Sequence, residues 1–81
     1  MNDVEKEVFR IISEIGCLIA WEDGDKSLSA EFGIDSLQLV QIIIAIEDRF
    51  EFEFDDEDMS IGENLTAFKL CSIVIRHLTN K

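Results

Sequence analysis

The chain is short of the residue types that activate a nucleophile. It has one histidine, His77, and two cysteines, Cys17 and Cys71. A catalytic serine needs a base within hydrogen-bond reach and donors for an oxyanion, and a lone histidine in a helix tail is better read as a solvated partner of the helix dipole. Both cysteines stand among apolar neighbours, the pattern of reduced core thiols rather than of a disulfide or metal pair. Basic side chains are also scarce. Seven of them face 18 acids for a net charge of -11, which repels nucleic acid and anionic membranes and favours basic protein surfaces as partners. No apolar run is long enough to span a membrane. The opening "MNDVEKEVF" is mostly charged instead of a basic region followed by a cleavable apolar one, so a cytoplasmic protein is expected. With 81 residues, residues 1–81 are expected to form one free-standing domain, and a chain of that size buries only ~60% of its unfolded surface, which leaves no room for a deep catalytic cleft. No internal repeat or low-complexity linker interrupts it.

The acids that dominate the charge are unevenly placed. Nine lie between Glu47 and Glu63, with only Arg49 to offset them. No placement of this tract puts carboxylates at the first, third, fifth and twelfth positions of a calcium loop with glycine at the sixth, so it reads as a solvated acidic face without a metal site.

Apolar periodicity makes the chain all-α, a small bundle of three longer helices and one short one. Val4, Val8, Ile11, Ile12 and Ile15 recur at helical spacing, with Asp3 as a candidate cap and Gly16 as the stop. Cys17–Trp21 is a second apolar patch expected to tuck against the core. "EDGDKSLSAEFG" lacks sustained periodicity and reads as a long loop between the first two long helices, pinned by Leu28 and Phe32. The stretch from Ser36 to Phe50 contains nine apolar residues and no Gly or Pro, and is the best-defined helix. "EFEF" alternates as a strand would, but with no partner strand it reads as a turn or extended link. Asp55 or Asp56 is expected to cap one short helix through Ser60, broken by Gly62. Asn64 is expected to cap a last helix with Leu65, Phe68, Cys71, Ile75 and Leu78 as its stripe.

At ~100° per residue, the helix from Ser36 places Leu39, Ile42, Ile43, Ile46 and Phe50 on one side as an ordinary core stripe. Leu37, Val40 and Ile44 fall on another, bordered by Gln41, Glu47 and Asp48. Either this second face is buried against the loop or last helix, or it is an exposed apolar spot rimmed by acids, the usual mark of a docking site. It lies directly beside Ser36. That serine is not in a nucleophile elbow, because it stands three residues after Gly33 and is followed by Leu37 and Gln38 with no glycine two residues later.

"FGIDSLQLVQIIIAIEDRFEFEFDDEDM" resembles the central segment of acyl carrier proteins, and the likeness extends to the first helix, the loop and the last helix. The resemblance implies a non-catalytic carrier whose Ser36 receives a 4'-phosphopantetheine arm from coenzyme A. A phosphopantetheinyl transferase would supply the activation that the chain lacks. It also implies a cargo of acyl thioesters in fatty-acid, specialised lipid or polyketide biosynthesis. Partners are then the transferase and the acyl-loading and acyl-transfer enzymes, which meet the carrier through basic patches. Asp35, Leu37, Val40, Gln41, Ile44, Glu47 and Asp48 would form the docking surface of a monomer that binds neither nucleic acid nor membrane. Ser27 and Ser29 have none of this context.

Gln38 and Gln41 stand where fatty-acid carriers usually have acids, Leu28 stands where an aromatic is frequent, and "FEFEF" is rich in phenylalanine. These departures point to a specialised carrier. Two other readings stay open: an aminoacyl or peptidyl carrier of the same fold, and an unmodified acidic helical adaptor for a basic partner, in which Ser36 is only a cap.

Overall fold

A computed structural model describes residues 2–55 and 65–79. Four α-helices lie among them: α1 (Asp3–Ile15), α2 (Leu28–Phe32), α3 (Ser36–Phe50) and α4 (Ala67–Thr79), with a 3-10 turn at Trp21–Asp23. The all-α class and the three longer helices are as the periodicity predicts. No strand occurs among the described residues. The helix expected through Ser60, the break at Gly62 and the cap at Asn64 fall outside them.

Each helix start is fixed locally. Asn2, not Asp3, caps α1: its side chain accepts the Glu5 N–H at 2.8 Å, and the Glu5 carboxylate accepts the Asn2 N–H at 2.8 Å. This reciprocal box satisfies two otherwise orphaned donors, which the carboxylate of Asp3, already inside the first turn, does not do here. Gly16 ends α1, as expected, with its N–H on the Ile12 carbonyl.

The expected long loop is more ordered than its composition suggests. Ser27 Oγ accepts the Ala30 N–H at 3.2 Å to start α2, and Gly33 ends it in the left-handed region at φ +68°, a conformation that costs glycine little. At five residues α2 is too short to show a period, which is why the pattern of charges and serines reads as loop. The loop is tied to the start of α4 by backbone bonds from Leu28 N–H to the Leu65 carbonyl at 3.0 Å and from Phe68 N–H to the Gly24 carbonyl at 2.9 Å.

α1 is the central helix, packed against both α3 and α4. Val8 and Ile12 of α1, Ile42 and Ile46 of α3, Leu70 and Val74 of α4, and Leu28 of α2 are fully buried, each worth about 1.5–3 kcal/mol of apolar transfer. The core face of α4 is Ala67, Leu70, Cys71, Ile73 and Val74. It is rotated from the predicted stripe, of which only Cys71 is a buried helical residue. Leu65 is buried but precedes the helix, while Phe68, Ile75 and Leu78 are partly covered. Phe68 turns aside to join Phe9 and Trp21 in an aromatic cluster, with centroids 6.2 Å and 4.7 Å away.

Beyond α3 the alternating "EFEF" faces Phe52 and Phe54 to the core and Glu51 and Glu53 to solvent. Phe52 stacks on His77 with centroids 4.7 Å apart, and His77 Nε2 lies 3.9 Å from Asp55 Oδ2. His77 is therefore a packed residue and not the solvated dipole partner expected from its place in the sequence.

Candidate functional site: the start of the third helix

The sequence places Ser36 at a helix start, and the structure fixes which kind of start it is. Asp35 is the cap: its Oδ1 accepts the Gln38 N–H at 2.8 Å, and Gln38 Oε1 accepts the Asp35 N–H at 3.2 Å. The Asp35 carbonyl takes the Leu39 N–H at 2.9 Å. Ser36 is thus the first helical residue, exposed to solvent, with its hydroxyl not needed to hold the helix together. It stands at the positive end of the helix dipole, where the first turn contains no acid; the dipole favours negative charge there, and the neighbouring Asp35 carboxylate opposes it.

The second face of α3 is open. Leu37 is 68% exposed, Val40 46% and Ile44 53%, while the facing stripe of Ile42, Ile43 and Ile46 is buried. Apolar side chains at i, i+3 and i+7 from Leu37 lie along one side of the helix, so the three form a strip running away from Ser36. Gln41 and Asp48 flank it, both exposed. Glu47 is different, because its Oε2 accepts the Phe54 N–H at 2.9 Å and its carbonyl the Phe52 N–H at 3.3 Å. It closes the end of α3, where Glu51 sits in the left-handed region at φ 56°.

His77 cannot serve Ser36. It packs on Phe52, past the C-terminal end of α3, and a helix of the 15 residues from Ser36 to Phe50 is ~22 Å long at 1.5 Å per residue. The two cysteines are free thiols. Burial pushes the Cys71 thiol up to about 12, and Cys17 lies with its Sγ 4.0 Å from the Phe32 carbonyl. Among the described residues no group of acids, histidines and cysteines is arranged to hold a metal ion, and no helix is long and apolar enough to cross a membrane.

Two features are not foreseen from sequence. Leu18, expected to tuck inward with its neighbours, is 86% exposed. The chain from Cys17 to Ala20 is not helical, and of its large apolar side chains only Ile19 is buried. The expected inward patch is corrected to Ile19, with Cys17 partly covered and Trp21 packed by one side on Phe9 and Phe68. The second is the structural role of Glu47, which no local pattern announces because its partner lies seven residues on.

The family profile described as "Phosphopantetheine attachment site" matches residues 8–68, a span that includes Asp35, Ser36 and the whole of α3. The chain is 39% identical over 59 residues to a protein named "Acyl carrier protein" from Buchnera aphidicola subsp. Schizaphis graminum (strain Sg), an alignment that covers 72% of this chain and 75% of the relative. No solved structure matches the chain.

Proposed function

Because this chain belongs to the acyl carrier protein family, non-catalytic carriers with a covalent 4'-phosphopantetheine arm, we propose that Ser36 is its attachment residue. We infer that it shuttles acyl groups in fatty-acid, specialised lipid or polyketide biosynthesis. The observation that carries this reading is the pairing of Asp35 with Gln38, which caps the helix and leaves the exposed Ser36 hydroxyl available at its positive end. The residues present fit the arm. A phosphodiester at Ser36 would project into solvent from a helix start whose first turn holds no acid, and Asp35, the nearest carboxylate in sequence, already accepts a backbone N–H.

In the transfer, the Ser36 hydroxyl attacks the phosphorus that bears the pantetheine of coenzyme A. The Oγ–P bond forms, the bond to the adenosine 3',5'-bisphosphate leaving group breaks, and the hydroxyl proton goes to a base of the transferase. The chain contributes a fixed, solvent-facing hydroxyl and a surface for the enzyme to rest on. The arm supplies a terminal thiol on which the cargo travels as a thioester.

Leu37, Val40 and Ile44 supply the apolar centre of docking, with Asp35, Gln41, Glu47 and Asp48 around it. Acids steer a basic partner into encounter and suit a carrier that must leave quickly. The exposed Gln41, and Gln38 held in the capping box, leave the early part of α3 without acids beyond Asp35, which supports a cognate enzyme whose basic residues reach towards Glu47 and Asp48.

The test is intact mass after incubation with coenzyme A, magnesium and a broad-specificity phosphopantetheinyl transferase. Wild-type protein should gain one arm and Ser36→Ala none. A Ser36→Ala protein that still gains the arm, or a wild type that stays unmodified as a plain adaptor would, overturns the reading.

A further inference from the structure

Among the described residues Leu18 is the most exposed large apolar side chain, and the packing of its neighbours brings it to the Ser36 end of the bundle. A Cβ at Gly16 would stand 2.9 Å from Ile34 Cδ1, and Cys17 Sγ lies 4.0 Å from the Phe32 carbonyl. The segment holding Leu18 is therefore seated on the residues that lead into Asp35 and Ser36. Its outward aim is enforced on both sides, since Cys17 and Ile19 turn towards the protein. Leu18 is thus an exposed apolar side chain on a segment that packs against the lead into α3, separate in sequence from the strip of Leu37, Val40 and Ile44.

Resting on Ser36 as the attachment residue, we propose that Leu18 is a second apolar contact for the phosphopantetheinyl transferase, which grips the carrier on both sides of the modified serine. The transferase has to place its own reacting groups against Ser36 Oγ, so its footprint is centred there. A standard interface takes ~800 Å² from each partner, a patch about 30 Å across, and the whole chain measures 33 × 27 × 19 Å. Such a footprint takes in most of one face. Enzymes that act later reach the cargo through the extended arm and have no such need to cover this end.

Charge around Leu18 selects the same kind of partner surface. Glu31 and Asp35, next in sequence to the Phe32 and Ile34 against which Cys17 and Gly16 pack, are exposed, and no basic residue occurs between Arg10 and Lys26 in the sequence. An apolar spot with an acidic border is complementary to an apolar patch bordered by lysine or arginine.

The experiment compares arm transfer from coenzyme A to wild type, Leu18→Ser and Leu18→Met, with Tm and folded fraction measured on the same samples. Leu18→Ser is expected to lower kcat/KM for the carrier at least fivefold, chiefly through KM, with Tm unchanged, and Leu18→Met to restore most of the rate. Equal kcat/KM for wild type and Leu18→Ser overturns the inference, as does a loss explained by unfolded protein. Those results are distinct from failure of the attachment reading, which shows as an unmodified wild type or a modified Ser36→Ala and removes both.

Discussion

The Asp35 carboxylate accepts the Gln38 N–H at 2.8 Å, one residue before the serine that sequence alone allows to be the cap. This separates the two roles that compete for Ser36. Loss of a capping carboxylate costs about 0.5–2 kcal/mol, whereas a change at an exposed first helical position stays within about 0.5 kcal/mol. Asp35→Ala is therefore expected to lower stability by about 1 kcal/mol and Ser36→Ala to leave it nearly unchanged, as read from denaturant midpoints. The reverse order would return Ser36 to the role of a cap.

The open face of α3 makes a second pair of outcomes separable. Val40→Ala and Ile44→Ala remove side chains that are about half exposed, so the free fold should change by no more than about 0.5 kcal/mol. Docking should weaken by about 1 kcal/mol or more where either residue is a hot spot. Asp48→Lys should slow association and flatten its salt dependence. Glu47→Lys should also lower Tm, because it removes the acceptor for the Phe54 N–H. Transferase kinetics and melts on the four variants check all of this together.

Charge governs the response to pH and salt in two opposing ways. With a net charge of -11, self-repulsion weakens the fold in low salt at neutral pH, and moderate salt or magnesium should raise Tm. Glu7 works in the other direction. A hydrogen bond from Arg10, aided by the nearby charges of Arg10 and of Arg49, whose Nε lies 3.3 Å away on α3, holds its carboxyl below the usual 4.5. A depressed carboxyl stabilises the fold above its unfolded value, and that contribution is lost as pH falls through the folded value. The Tm of wild type should exceed that of Glu7→Gln at pH 7, and the gap should close below the ordinary 4.5. A gap that persists to pH 2 would contradict this assignment.

Gly24 and Phe68 predict a packing effect with no backbone strain. A Cβ at Gly24 would fall 2.3 Å from Phe68 Cε1, while Gly24 itself has an ordinary φ of -65°. Gly24→Ala should therefore cost about 1–3 kcal/mol by overpacking, lowering the urea midpoint with the slope unchanged. Combining it with Phe68→Leu should recover part of the loss.

Cys71 offers a probe of global opening. Burial raises its thiol to about 12 against an ordinary 9.0, so above pH 9 the unfolded chain loses a proton that the folded one keeps, and stability falls as pH rises through that window. A thiol reagent should label Cys71 only at the rate of unfolding, and Cys17, which is partly exposed, well before it. Equal labelling rates would show that the core around α4 opens locally.

Long amphipathic segments were readable because their periods exceed the noise of single residues. The ends of α3 at Ser36 and Phe50, its core stripe, and the separate strip of Leu37, Val40 and Ile44 all follow from spacing. Elements decided by one or two bonds were not. α2 rests on Ser27, Leu28 and Gly33, too few positions for a period, and the choice of Asn2 over Asp3 depends on the reach of one side chain to Glu5. The rotation of α4 was hidden because its apolar residues occupy more than one face: Ala67, Leu70, Cys71, Ile73 and Val74 turn inward, while Phe68 joins the cluster with Phe9 and Trp21. The outward turn of Leu18 belongs to a non-helical segment that composition alone does not announce.

The strip on α3 also has a colloidal consequence. A small protein that keeps three large aliphatic side chains in water carries a self-adhesive surface, and the excess of acids is what holds copies apart. Near its isoelectric point of about 4.2 that mutual repulsion vanishes, and the same strip that serves a passing enzyme becomes the seam along which carriers cluster and leave solution.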